Sequence, residues 1–124
     1  MGMLNVGRDE IPKALAGTGT AYNAGQGHLC MGDSTTAYNA SQTNLQAATN
    51  KWREPFDGAP NVSSNVFTAI ATVLGPDANF SWQEFGMANH LTAGTMFNRL
   101  VSNQGTKSVG AVWQLTMQIT FTIG

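Results

Sequence analysis

The stretch that most constrains the fold is residues 111–123, where apolar and polar residues alternate. Every second residue is apolar, and this set is Ala111, Trp113, Leu115, Met117, Ile119, Phe121 and Ile123. A period of two is typical of a β-strand that buries one face. At about 3.3 Å per residue such a strand would be roughly 40 Å long. We therefore expect it to cross a large sheet or to reach a neighbouring subunit.

The opposite face of this predicted strand is polar but uncharged. Its candidate interface residues are Gln114, Thr116, Gln118 and Thr120. A row of amides and hydroxyls without charge is better suited to a hydrogen-bonded subunit contact than to bulk water, because surface charge is what keeps a lone domain soluble. Trp113 on the apolar face and Trp82 in an earlier strand are further structural or interface candidates.

The composition supports an assembled rather than a freely diffusing protein. Only 10% of the 124 residues are charged, compared with roughly 25% in typical soluble domains. Six scattered Lys and Arg residues form no basic stripe, so we expect no nucleic-acid partner. No apolar run is long enough to span a membrane, and we expect no membrane partner. The length predicts a single domain over residues 1–124, with residues 1–17 as an N-terminal arm or helix.

Further alternating stretches predict a mainly β fold. Residues 80–88 and 95–102 read as a hairpin, and with the terminal strand they would form an antiparallel meander. Residues 65–74 are apolar on both faces, as in a central strand, and Gly86 would mark a bulge. The expected fold is an antiparallel β-sandwich or barrel with a C-terminal meander and one short N-terminal helix.

Two segments favour helix. Residues 8–16 could form a helix capped by Asp9 and ended by Gly17, either packed on the sheet or gripping a neighbouring subunit as an arm. Residues 41–48 could form one or two helical turns around Leu45. A repeated Thr-Ala-Tyr-Asn-Ala motif predicts two similar turns, with Tyr22 and Tyr38 half-buried.

Three charged residues stand out as structural or interface candidates. Glu84 and Arg99 lie in the two apolar strands of the predicted hairpin, so we expect them to pair across it. The alternative is that one of them pairs across a subunit boundary. Lys107, in the last turn, is either a third intersubunit contact or a solvated loop lysine.

Neither a catalytic nor a cofactor motif emerges. Ser81, His90 and Asp77 could be assembled into a hydrolase triad, but no nucleophile-elbow motif accompanies them. His28 and Cys30 could bind a metal with His90, yet no second pair stands at zinc-finger spacing. Cys30 reads more simply as a buried thiol. We expect no enzyme activity, no metal and no cofactor.

Several short segments together resemble a family of small virion structural proteins of tailed bacteriophages. The segments are residues 80–87 (FSWQEFGM), 94–99 (GTMFNR), 105–107 (GTK), 113–116 (WQLT), 119–120 (IT), 29–37 (LCMGDSTTA) and 42–45 (QTNL). They are spread from residue 29 to residue 120, so the resemblance extends over most of the chain. One departure is Phe85, where the family pattern has tryptophan.

The resemblance implies a structural role in a phage particle, made in the host bacterial cytoplasm. The first expectation is a capsid decoration, or cement, protein that forms a homo-oligomer, with a trimer favoured, and binds the major capsid protein. The alternative is a tail, collar or fibre component bound to tail proteins. A lower-ranked alternative is a carbohydrate-binding β-sandwich that would use Trp52, Trp82, Tyr22 or Tyr38 to stack on sugars.

Overall fold

The structure, a computed structural model, describes residues 2–123, so Met1 and Gly124 at the two ends of the predicted domain lie outside it. Strands dominate the described chain, and helix is confined to residues 5–15. In chain order the elements are β1 (Gly2–Met3), α1 (Asn5–Arg8), α2 (Glu10–Leu15), β2 (His28–Gly32), β3 (Lys51–Pro55), β4 (Asn61–Ser63), β5 (Val66–Val73), β6 (Glu84–Ala88), β7 (Met96–Val101) and β8 (Trp113–Thr120).

The strands form two antiparallel sheets that pack face to face. The larger sheet has the order β1-β7-β6-β2-β3, and the smaller has the order β4-β5-β8. Side chains from both sheets share one buried core: Leu29, Met31, Phe85, Met87 and Phe97 from the larger, and Ala69, Ala71, Val73, Met117 and Ile119 from the smaller. The predicted mainly β sandwich with a short N-terminal helical segment is therefore confirmed.

The predicted hairpin is confirmed, but the C-terminal meander is wrong. β6 pairs with β7, whereas β8 pairs with β5 in the other sheet, with Met117 opposite Ala69. The far side of β7 is occupied by β1, where Gly2 lies opposite Arg99. The alternating pattern defines which face of β8 is buried, but it does not define which strand pairs with β8. Pairing with β5 buries that same face against the larger sheet.

β8 is shorter than the alternating pattern predicts. Eight residues, Trp113–Thr120, are paired with Val66–Val73, and the alternation continues beyond both ends of the strand. Phe121 is 43% exposed and Ile123 is fully exposed. The apolar residues within β8 turn inward as expected, and the polar ones turn outward. β5 lies between β4 and β8, which confirms the predicted central strand.

The N-terminal segment packs on its own domain. Leu4 is fully buried, and a Cβ added to Gly7 in α1 would lie 2.1 Å from the Phe97 carbonyl oxygen, so the helix lies directly on β7. The predicted helix is present as α2, ended by Gly17 with φ +71°. The predicted cap is wrong, because Asp9 has helical dihedrals and its carboxylate pairs with the neighbouring Arg8 at 3.0 Å.

Three local predictions differ from the structure. Residues 41–48 form no helix, because the backbone N–H groups of Gln46 and Ala47 donate to the Glu84 carboxylate instead of to helical carbonyls. Regular strand pairing begins at Glu84 rather than at residue 80, and the ladder irregularity lies between Met87 and Ala88 rather than at Gly86.

Candidate functional site

The three strands of the smaller sheet contain no Asp, Glu, Lys or Arg, and we refer to them as the charge-free sheet. The outward-facing side chains of β8 are Gln114, Thr116, Gln118 and Thr120, all exposed, and we refer to them as the outer residues of β8. Ile70 of β5 lies opposite Thr116 on the same face and is 40% exposed. The four interface candidates predicted from the sequence therefore share one accessible surface.

The two predicted tryptophan candidates lie between the sheets instead. Trp82 is buried, and its ring packs edge-on against Trp113 with 4.9 Å between ring centroids. The indole N–H of Trp82 donates to the Ala78 carbonyl at 3.0 Å. Trp113 begins β8 and is half-buried. Both rings thus connect the charge-free sheet to the larger sheet, which is a structural role.

Glu84 and Arg99 form a fully buried ion pair, as predicted from their positions in the hairpin. The Arg99 Nε donates to Glu84 Oε1 at 3.0 Å, and neither side chain is exposed. The Glu84 carboxylate also accepts backbone N–H bonds from Ser34, Gln46 and Ala47, at 3.3, 2.7 and 2.9 Å. One carboxylate therefore anchors the loop between β2 and β3 from two directions.

Arg99 holds the same loop through its other donors. Its Nη1 donates to the Thr36 carbonyl at 2.8 Å and to the Gln42 side-chain oxygen at 3.2 Å, while Nη2 has no hydrogen-bond partner within residues 2–123. Gly32 makes room for this arrangement, since a Cβ there would lie 2.4 Å from a Glu84 carboxylate oxygen. We refer to Glu84, Arg99 and the loop groups that they bind as the buried ionic centre.

Lys107 is buried, contrary to the solvated alternative. Its ammonium donates to the carbonyl oxygens of Leu74, Gly75 and Asp77 at 2.8, 3.2 and 2.8 Å, and to the Asn79 side-chain oxygen at 3.0 Å. These acceptors belong to the turn that follows β5. Lys107 thus fastens this turn within the chain, and its ammonium is fully engaged there.

The residues considered for catalysis or metal binding have local structural partners. His28 contacts the Gln26 carbonyl through Nδ1 at 2.8 Å, and His90 Nδ1 accepts the N–H bonds of Thr92 and Ala93. Burial raises the pKa of the Cys30 thiol to about 12, although the nearby Arg53 opposes the shift. Among residues 2–123, no group of three or more His, Cys, Asp or Glu side chains could hold a metal ion.

An apolar cavity of about 550 Å³ lies between α2 and one end of the sandwich. Ile11 of α2, Tyr22, and the rings of Phe67, Phe97 and Phe121 contribute to its wall. The Tyr22 hydroxyl donates to the Thr95 carbonyl at 2.9 Å, and burial together with the Glu10 carboxylate raises the pKa of Tyr22. The sequence did not indicate this cavity, because its wall comes from segments far apart in the chain.

Two further findings bear on possible partners. Within residues 2–123, no helix is both long and apolar enough to cross a membrane. Comparison of the chain with known protein families, with curated proteins and with solved structures finds no match.

Proposed function

We propose that this chain is a structural protein of a tailed-bacteriophage particle, and specifically a capsid decoration protein that stabilises the head by binding between capsid subunits. The observation that carries the proposal is the charge-free sheet, whose strands contribute only uncharged side chains to its accessible outer face. One carboxylate borders this face: Asp57, in the loop between β3 and β4, accepts a hydrogen bond from the Thr72 hydroxyl at 2.7 Å. The segments that resemble phage virion proteins support it as well, since they include the ion pair, Lys107 and β8.

The outer face of the charge-free sheet suits a permanent contact. Its exposed amides and hydroxyls can donate and accept hydrogen bonds without the cost of removing charges from water. Ile70 adds apolar area at the centre of this face. A binding face of this kind acts through buried area and shape, and repeated attachment at several capsid subunits multiplies weak contacts into a stable one.

Buried charged side chains anchor two long connections of the domain that carries that face. The buried ionic centre fixes the long loop between β2 and β3, and Lys107 fixes the turn after β5. Order that already exists in the free protein reduces the entropy lost when the face meets its partner. Glu84, Arg99 and Lys107, which the sequence singled out, thus act on the scaffold, and the uncharged outer residues of β8 act at the proposed contact.

Homo-oligomer formation is part of the proposal, and the virion is the proposed location. The trimer expected from the sequence stays a prediction. A tail, collar or fibre position is the second candidate, because an uncharged sheet face would serve equally well there. Carbohydrate binding ranks lower: Trp82 is buried between the sheets, and Trp52, which is 38% exposed, uses its indole N–H to bind Glu54.

The experiment is co-sedimentation of the purified protein with expanded capsids that lack it. We expect saturable binding to capsids and weaker binding of the Thr116→Lys variant, which places a charge at the centre of the face. Thr92→Lys, in an exposed loop outside the charge-free sheet, is the matched control and should bind normally. Binding to purified tails but not to capsids would favour the second candidate. Binding to neither structure contradicts the proposal.

A further inference from the structure

The two sheets end in four edge strands, and three of them are protected against pairing with another chain. β1 has two residues and β4 has three, which is too short for extensive pairing. β3 carries Lys51, Arg53, Glu54 and Pro55, the charges and proline that commonly protect an edge. β8 has eight residues without any charge or proline. Such an edge is an open template for a further strand.

The alternation of backbone hydrogen bonds along β8 shows which N–H and C=O groups point away from β5, at the free edge of the sheet. The Phe121 N–H donates to the Asn65 carbonyl at 2.9 Å, in register with the β5–β8 ladder. Hydrogen-bonded pairs alternate along an antiparallel ladder, so Trp113, Leu115, Met117 and Ile119 also bond toward β5. The outer residues of β8 therefore direct their N–H and C=O groups away from β5. Within residues 2–123, β8 has no neighbouring strand on that side, and no backbone hydrogen bond of a turn, loop or cap engages these groups.

We propose that this edge of β8 pairs with the same edge of a second copy of the chain, antiparallel, about a two-fold axis at Met117. The two charge-free sheets would then join into one continuous sheet with three strands from each copy. Self-pairing brings no like charges together, because neither strand has a charge. This pairing does not depend on the proposed role in a virion, and the dimer that it forms is the alternative to the trimer that the sequence favours.

The register follows from the alternating stretch of residues 111–123. Met117 is its central residue, so a two-fold axis there pairs the whole stretch of one copy with that of the other. Polar residues then meet polar ones on the outer face, with Thr116 opposite Gln118 of the second copy. The axis also explains why the alternating stretch is longer than the eight residues that pair with β5. Phe121 and Ile123, which are exposed in the single chain, would gain a partner strand in the dimer.

The register can be tested by disulfide cross-linking of the Thr116→Cys/Gln118→Cys double variant. Directly opposite residues of a hydrogen-bonded pair have Cα atoms about 5.5 Å apart, within disulfide range. With oxidised glutathione accepting the two electrons, we expect a covalent dimer. The single variant Thr116→Cys is the matched control, because its two cysteines would lie on a diagonal of about 7–8 Å and should not be bridged. Native Cys30 is buried and should not react.

A second measurement uses the outward N–H of Thr116. Analytical ultracentrifugation of the unmodified chain should show a dimer. Thr116→Pro removes a donor that β5 does not use and should yield a monomer, while Thr116→Ala keeps the donor and should stay dimeric; circular dichroism checks that both retain the β fold. A monomeric or trimeric unmodified chain overturns the inference. So does cross-linking of the Thr116→Cys control as efficient as that of the double variant.

Discussion

The buried ion pair offers the sharpest test of how the scaffold is held. Glu84→Gln preserves the size of the side chain but removes the charge that faces Arg99 at 3.0 Å. It also leaves one acceptor oxygen where the carboxylate receives three backbone N–H bonds. Removing one partner of a buried pair typically costs about 3–5 kcal/mol. That cost is a large part of the free energy of unfolding of a whole domain, which is about 5–15 kcal/mol.

The assay is urea unfolding followed by tryptophan fluorescence at neutral pH. With a slope of about 1.5 kcal/mol per M, the expected cost moves the unfolding midpoint down by roughly 2–3 M. The matched control is Asp9→Asn, which removes an equally short pair with Arg8 whose side chains are 64% and 62% exposed. Exposed pairs contribute about 0–1 kcal/mol, so the control should barely move the midpoint.

A double variant separates the ion pair from the loop anchor. In a simple buried pair, replacing both partners by apolar residues is often neutral or stabilising. Glu84→Met with Arg99→Met should still be destabilised, because the buried N–H of Ala47 loses its acceptor at about 1–3 kcal/mol and the part-buried N–H of Gln46 loses its hydrogen bond as well. A loss below about 1 kcal/mol for Glu84→Gln would refute the importance of the pair. A double variant as stable as the native chain would refute the role in anchoring the loop.

Three further predictions test separate parts of the structure. Lys107→Met should lower the free energy of unfolding in urea by about 3 kcal/mol, because several part-buried carbonyls lose a charged donor; an unchanged midpoint would contradict the burial of this lysine. For Cys30, whose thiol has a pKa raised from 9.0 to about 12, ionisation favours the unfolded chain as pH rises above 9. Between pH 7 and 10 the free energy of unfolding of the native protein should therefore fall by about 1 kcal/mol more than that of Cys30→Ala, and equal losses would contradict the buried thiol. Leu115→Asp should abolish soluble expression while Thr120→Lys should not, and equal yields of the two variants would contradict the orientation of β8.

Much of the fold was predictable because burial leaves a periodic signal. The alternation in residues 111–123 indicated which face of β8 is buried, and the two apolar stretches around Glu84 and Arg99 indicated a hairpin with a paired charge. A buried charge in an apolar strand is stabilised by a nearby opposite charge, so the sequence favoured this pair over the alternative of a partner across a subunit boundary. The neighbour of β8 did not follow, since periodicity carries no information on strand order.

The candidate site was predictable only in part. The outer residues of β8 were predicted because they alternate with apolar ones, and the structure gathers them on one exposed face. Lys107 could not be distinguished from a solvated loop lysine, because its carbonyl acceptors come from a turn some thirty residues away. The three backbone bonds to Glu84 were missed for the same reason. Such contacts depend on tertiary structure and leave no local pattern.

The most direct test of the proposed role is to look for the chain in purified particles of a tailed bacteriophage whose genome carries its coding sequence. Quantitative mass spectrometry of gradient-purified virions should detect the chain in many copies per particle. Immunogold electron microscopy should place it on the outside of the head, which is the result that the decoration role predicts. Labelling confined to the tail would contradict the decoration role, and absence of the chain from purified virions would contradict the structural role altogether.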